Sequence, residues 1–588
     1  MKKLLATAAL LFSGLSLWAA GTPRPEYPRP QFERAAWVNL NGTWNFDFDF
    51  GESGIERNLH KADKLDKQIT VPFCPESVLS GVEYKDFMDA VWYQREFTVP
   101  EKFADLRTIL HFGAVDYKAT VYVNGKEVGT HRGGYISFEF DITDYLNGGT
   151  NVLTVYAEDD TRNPLQPRGK QSEEYYSHGC DYTRTTGIWQ TVWLEFVPDS
   201  RIKSIKVFPN VENCSVDIQA EVIGTGKFEA LALYQERIMG AASVETEGGL
   251  ITAHLDLKEA YLWEVGEGRL YDLELRFNED KVDSYFGLRD VKLDGQKFLI
   301  NGKSVFQRLV LDQGFYPDGI YTAPSEEAMI KDIQISLDVG FNGARLHEKI
   351  FEPRFLYNCD KMGYIVWGEY PNWGLDHSNP NIVYSVIPEW IEEVERDFNH
   401  PAIIGWCPLN ETWDYDGRKQ FDDALALIYK TTKALDKTRP CIDTSGNFHV
   451  ITDIFDLHDY EQDPKVFKEH FDMLMTEGKL YDNHERRQKY PGGPTFISEY
   501  GGIRWSVNEN EQNAWGYGNA PKNKYEFIER YKGLTDALLD NDRMFGFCYT
   551  QLYDVEQEQN GLYTYSRKPK FETSIFRAIN SRKAKIEL

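Results

Sequence analysis

Ile403-Ile404-Gly405-Trp406-Cys407-Pro408-Leu409-Asn410-Glu411-Thr412-Trp413 is a five-residue apolar run that stops at a proline and is followed at once by an amide and a carboxylate. A short, continuously apolar run bounded by turn residues reads as a strand buried on both faces, the kind found in parallel sheets. Similar runs flank it. From about Val291 onward they fall at Val305–Leu311, Asn342–Leu346, Tyr364–Gly368, Ile403–Cys407, Pro440–Thr444, Ile454–His458, Thr495–Ser498 and Met544–Tyr549. Amphipathic helical patterns lie between them, such as Glu326–Val339, which follows Pro324-Ser325 and stops at Gly340, with a cap and a terminator where a helix needs them. Eight strand–helix units within residues 291–588 predict a (β/α)8 TIM barrel.

Upstream the period changes from 3.6 to 2. Between residues 21 and 198, short alternating runs are broken by turn residues: Ile109 to Phe112, Thr120 to Val123, Val152 to Ala157 and Gln190 to Glu195. Asn124-Gly125 after Val123 is a hairpin signal, because a type I′ turn needs positive φ at both positions. This region predicts a β jelly-roll sandwich. Residues 199–290, with runs at Ser215 to Val222 and Tyr271 to Phe277, predict a smaller immunoglobulin-like β-sandwich. The expected order is therefore multidomain: jelly roll, immunoglobulin-like sandwich, barrel.

At residues 1–20, Met1-Lys2-Lys3 precedes an apolar run from Leu4 to Trp18 and then Ala19-Ala20-Gly21. That order predicts a secretory signal and an exported, periplasmic protein; the run falls short of the roughly 20 residues of a membrane span. Seven Cys without CxxC spacing argue against a metal cluster and read mainly as small buried apolar residues. The net charge of −27 excludes nucleic acid and anionic membrane as partners, since both require basic surfaces. It leaves a local basic pocket open, as it does a homo-oligomer. Aromatic residues at 14% suit stacking on sugar faces and β-rich cores alike.

In TIM barrels chemistry sits at the carboxyl ends of the strands. Glu411 follows the fourth predicted strand, and Glu499, in Phe496-Ile497-Ser498-Glu499-Tyr500-Gly501-Gly502, follows the seventh. Taken singly, each is one of 92 acidic residues, most of which must be solvated. Taken together they supply the two carboxyls that glycoside hydrolysis needs. Asp312, in Leu311-Asp312-Gln313-Gly314 after the first strand, reads either as a grip on sugar hydroxyls or as a loop cap. Trp373 after the third strand reads as a sugar platform or as packing.

Here the sequence resembles glycoside hydrolase family 2 across essentially the whole chain after residue 20. Val123-Asn124-Gly125-Lys126, Thr186-Gly187-Ile188-Trp189 and Asn301-Gly302-Lys303 carry the likeness, along with the Asn410-Glu411 pair and the Glu499 motif. The resemblance implies that Glu411 is the acid/base and Glu499 the nucleophile of a retaining exo-glycosidase, with Asn410 on the sugar 2-hydroxyl. Gly340-Phe341-Asn342-Gly343-Ala344-Arg345-Leu346-His347 resembles the family's second-strand motif. It places Arg345 beside Glu499 and His347 along the subsite; an ordinary salt bridge and a core histidine are the plainer readings. Tyr460 would donate its phenol to Glu499 or pack as a core aromatic. A working acid also implies a raised pKa at Glu411.

Two departures narrow the substrate. Gly368-Glu369-Tyr370-Pro371-Asn372-Trp373 lacks the Glu-x-His metal pair of the lactose-cleaving members, so no metal or other cofactor is expected. Glu558-Gln559-Asn560 stands before Gly561-Leu562-Tyr563-Thr564 where the glucuronidases carry Asn-x-Lys, which disfavours a uronate unless Arg567 or Lys568 is recruited. A third departure, Tyr549 where a Trp often ends the eighth strand, changes the floor of the subsite. The expected substrate is an oligosaccharide or polysaccharide with a β-galactose-like terminal sugar. α-L-Arabinopyranosidase, β-mannosidase and uronidase follow, and a non-catalytic carbohydrate-binding protein is the alternative of another class.

Overall fold

The structure, a computed structural model, describes residues 21–413, 417–507 and 513–588. The signal assigned to residues 1–20 lies outside the described residues.

The N-terminal domain is a sandwich of a four-stranded and a six-stranded antiparallel sheet. In the larger sheet Lys118–Val123 and Lys126–Arg132 form the hairpin that Asn124-Gly125 predicts, with φ of 53° and 73° at the two turn residues. Alternate side chains meet between the sheets in a core that includes Trp44, Phe46, Tyr93, Leu110, Val121 and Leu194. The second domain is a smaller two-sheet sandwich running from Arg201–Asn210 to Asp280–Phe286, with its own core around Ile218, Phe228 and Tyr271.

The C-terminal domain is the TIM barrel. Seven parallel strands form one sheet: Gln307–Asp312, Gly343–Leu346, Ile365–Glu369, Ile403–Cys407, Phe455–Asp459, Thr495–Gly501 and Gly546–Thr550. The first pairs with the last of these, as closure requires. Every residue of these strands is buried, which explains why each reads as an unbroken apolar run with its functional residues at the end.

The fifth predicted strand is a correction. Residues 440–445 span the gap between Ile403–Cys407 and Phe455–Asp459 with isolated parallel bridges, Trp406 to Cys441 and Asn410 to Ser445. No helix follows them; the chain runs through loop to Phe455. The cause is local: Pro440 has no N–H for the ladder, and the carboxylate of Asp443 accepts from the backbone N–H of Thr444, Val450 and Ile451. The helix predicted at Glu326–Val339 forms over Glu326–Asp338, capped by Ser325 accepting from the N–H of Ala328.

The barrel core is continuous with the jelly roll. Tyr135, Tyr182 and Trp189 of the first domain join the same apolar cluster as Phe315, Tyr321 and Phe351 of the barrel. Trp189 is wholly buried, its Nε1 donating to the carbonyl of Gly134 at 2.8 Å, and truncating it to Ala should cost about 3–5 kcal/mol. Among the described residues all seven cysteines are free thiols, and no helix is long and apolar enough to cross a membrane.

Candidate active site

Glu411 and Glu499 converge at the carboxyl end of the barrel. Oxygens of the two carboxylates lie within 4.8 Å of each other, and a nitrogen of His458 shares that space. Irregular backbone aims both. Glu411 has φ of 43°, a left-handed conformation that a glutamate adopts at a cost, and it is held there by its N–H donating to the carbonyl of Ser445 at 2.9 Å. Glu499 lies inside the strand Thr495–Gly501 rather than after it. The ladder skips one residue beside it, with Leu457 opposite Ile497 but His458 opposite Glu499. Such a bulge turns the side chain towards the site.

Two donors and a histidine ring surround the Glu499 carboxylate. Arg345 Nη1 donates to Oε1 at 3.0 Å, Tyr460 donates its hydroxyl to Oε2 at 2.5 Å, and His458 Nε2 stands 3.4 Å from Oε1. The fully buried Arg345 also bridges Glu369, at 2.9 Å from Nη2, and the side-chain oxygen of Asn410 at 3.0 Å. Its guanidinium thus fixes Glu499 and Asn410 in one plane of donors. Among the described residues the buried Asn410 amide nitrogen has no hydrogen-bond partner, which leaves a donor free for a ligand.

Sequence reasoning missed His458. Its Nδ1 is 2.6 Å from Oε1 of Glu411. Burial works against an imidazolium here, but Glu499 and Glu411 outweigh it and raise the histidine above its ordinary range. Burial would likewise raise the Glu411 carboxyl, yet His458, then Lys170 and Arg345, hold it below the usual carboxylate range. The expected raised pKa at Glu411 is therefore not found: the neighbouring imidazole lowers the carboxyl instead. His458 and Tyr460 alternate on one strand end and so share a face, which is the signal that could have found it.

His347 touches Glu369, its Nδ1 2.8 Å from Oε1, and lies 4.0 Å from Glu499. Burial first, then the charge of Lys170, pushes its pKa well down, so the ring is neutral. Nδ1 carries the proton towards Glu369, which leaves Nε2 as an acceptor. Asp312 takes the loop-cap role: its Oδ1 accepts from the N–H of Gly314 at 2.9 Å and the hydroxyl of Tyr553 at 2.5 Å. Trp373 is neither bare platform nor plain packing, because the ammonium of Lys170 stands 3.3 Å from the centre of its ring.

Glu558 is buried and oriented by Tyr182 and by Asn560, whose amide donates to Oε1 at 3.0 Å. Arg567 is not free to replace the absent lysine: it clasps Asp332 with two bonds of 2.9 Å, while Lys568 is exposed.

Comparison with known proteins identifies the family. Residues 38–198 match the family model for the sugar binding domain of glycosyl hydrolases family 2, and residues 291–582 match that for the family's TIM barrel domain. The chain is 28% identical over 486 residues to a β-galactosidase of Thermoanaerobacter pseudethanolicus, which covers 76% of this chain and 61% of that protein's length. It is 26% identical over 530 residues to a β-glucuronidase of Homo sapiens, covering 81% and 79%. In structure it is similar to a β-glucuronidase of an uncultured Clostridium sp., with a TM-score of 0.78, 22% identity and coverage of 93% and 98%. The chain belongs to glycoside hydrolase family 2.

Proposed function

We propose that the protein is a retaining exo-β-galactosidase. The observation that carries the mechanism is the pair of carboxylates with oxygens within 4.8 Å, since retaining enzymes hold their carboxyls about 5–5.5 Å apart and inverting ones leave room for a water. Glu499 attacks the anomeric carbon and forms the glycosyl-enzyme, with Arg345 and Tyr460 holding the attacking carboxylate in place. Glu411 protonates the leaving oxygen and later deprotonates the water that releases the sugar. The proton for the first step comes from the His458–Glu411 pair, which passes it across a 2.6 Å contact as the substrate oxygen arrives.

The choice of sugar rests on Glu558. A buried acidic side chain, close enough to Glu499 for their charges to interact, opposes a uronate carboxylate and suits a neutral sugar that offers hydroxyls. A panel of aryl glycosides tests it. β-D-Galactopyranoside should be cleaved fastest, α-L-arabinopyranoside next, because it has the same ring configuration, and β-D-glucuronide only at background. A glucuronide turned over fastest would overturn the choice of sugar and leave the retaining mechanism standing.

A further inference from the structure

The mechanism leaves one buried cation without a task. Lys170 belongs to the jelly roll, in a strap that crosses to the barrel. Arg168 donates its N–H to the carbonyl of Trp373 at 2.9 Å, Gly169 to that of Pro371 at 3.2 Å, and Tyr182 to that of Lys170 at 2.7 Å. Gly169 has φ of 55°, and a Cβ there would lie 2.4 Å from the carbonyl oxygen of Glu348, so only glycine lets the strap seat this closely. Backbone bonds on both sides therefore fix where Lys170 enters the site.

Its side chain is 5% exposed, and among the described residues its ammonium makes no hydrogen bond or ion pair. Contact with the Trp373 ring helps to hold the buried side chain, and none of its three donors is used among the described residues. The ammonium is near enough to act on the charges of His347, Glu348, Glu411 and Glu558, which places it at the catalytic site rather than in the strap's own packing.

Glu348 is the second unsatisfied group. It is wholly buried, with φ of 50°. Its Oε2 accepts from the N–H of Trp373 at 3.0 Å, while Oε1 has no partner among the described residues. Burial, and then the charge of Glu369, raise its carboxyl well above the usual range, so it holds a proton it can donate. A strained backbone that presents an unpaired carboxyl oxygen beside an unpaired ammonium is the signature of groups waiting for a ligand.

We propose that Lys170 and Glu348 form a hydroxyl-reading pair in the subsite for the terminal sugar, so that the jelly-roll domain supplies part of the enzyme's specificity. The inference rests on the glycosidase reading of Glu411 and Glu499 but not on the identity of the sugar. The ligand class is a neutral pyranose: the ammonium donates to one ring hydroxyl and the Glu348 carboxyl exchanges a bond with its neighbour. Glu558 and Glu411 already face Lys170 with negative charge, so a sugar carboxylate would add a surplus.

The test uses the full chain and aryl glycosides of whichever sugar the wild type cleaves best, together with the same glycosides deoxygenated at one ring hydroxyl at a time. Lys170→Met keeps the stem over Trp373 and removes the donors. It should lower kcat/KM about 30- to 100-fold on the parent substrate, the worth of a hydrogen bond to a charged group. On one deoxy substrate the loss should shrink to under about threefold, because the partner hydroxyl is already gone. Lys170→Arg should recover part of the activity. Equal losses on every deoxy substrate, or no loss on the parent, would overturn the proposal. If Lys170→Met melts early, Glu348→Gln supplies the same comparison, with its loss expected to vanish at the adjacent hydroxyl. A wild type that cleaves no aryl glycoside defeats the glycosidase reading instead; binding of the free sugars and their deoxy forms then decides the pair by the same criterion.

Discussion

His458 holds Oε1 of Glu411 at 2.6 Å through Nδ1, while Nε2 of the same ring stands 3.4 Å from Glu499. One imidazole thus spans both carboxylates and is placed to share a proton with Glu411.

The pH profile should show this. His458 is raised, so its proton stays on above the ordinary histidine range and leaves as pH rises through the shifted value. Glu411 is depressed, so its charge is present above the ordinary carboxyl range and is lost as pH falls through its own value. Between the two limits the pair holds one proton. The basic limb of kcat/KM should report the loss of that proton as a property of the pair. In His458→Gln the proton must reside on Glu411 alone, and a carboxyl gives it up earlier. The basic limb should move to lower pH by on the order of one unit. A limb that stays where it was would show that the ring does not hold the proton.

Arg345 should matter for stability as well as rate. It is the shared partner of Glu369, Glu499 and Asn410 in a fully buried site. Arg345→Met leaves two buried carboxylates without their cation, which should cost about 3–5 kcal/mol. The denaturation midpoint of the barrel checks this. Arg345→Lys should not restore it, because a point charge cannot bridge three acceptors. An unchanged midpoint in the methionine variant would contradict the account.

Tyr460→Phe isolates the phenol. The ring stacks on Tyr517 with centroids 3.4 Å apart, and phenylalanine keeps that contact, so folding should be little affected. Loss of the 2.5 Å bond to Glu499 should lower kcat roughly 10²-fold, in line with removing one preorganised donor. A wild-type kcat would return Tyr460 to the role of a core aromatic.

These residues differ in how plainly the sequence announces them. The barrel was legible because buried parallel strands are continuous apolar runs, and Ile403–Cys407 forms where its sequence places it. Glu411, Glu499, Arg345 and Tyr460 were legible because each sits at or near a strand end within a motif. Residues 440–444 were misread as a regular strand because apolarity alone does not reveal that Asp443 captures the backbone. Glu369 ends the third strand and was quoted only for the metal pair it lacks. Lys170 had no such signal: it reaches the site from another domain, and no periodicity links residue 170 to residue 373. The lowered carboxyl of Glu411 was equally hidden, since it depends on a ring 47 positions away.

The roles of the two carboxylates are tested most directly by azide rescue of Glu499→Ala and Glu411→Ala, with the anomeric configuration of the glycosyl azide read by NMR. Glu499→Ala should lose nearly all activity on every substrate and, with azide, give the inverted product, because the small anion enters from the face the nucleophile has vacated. Glu411→Ala should keep an appreciable first step on substrates whose leaving group needs no proton, and azide should then give the retained product from the glycosyl-Glu499 intermediate. The opposite stereochemistry would reverse the two roles, and wild-type rates in both variants would contradict the assignment of this site as catalytic.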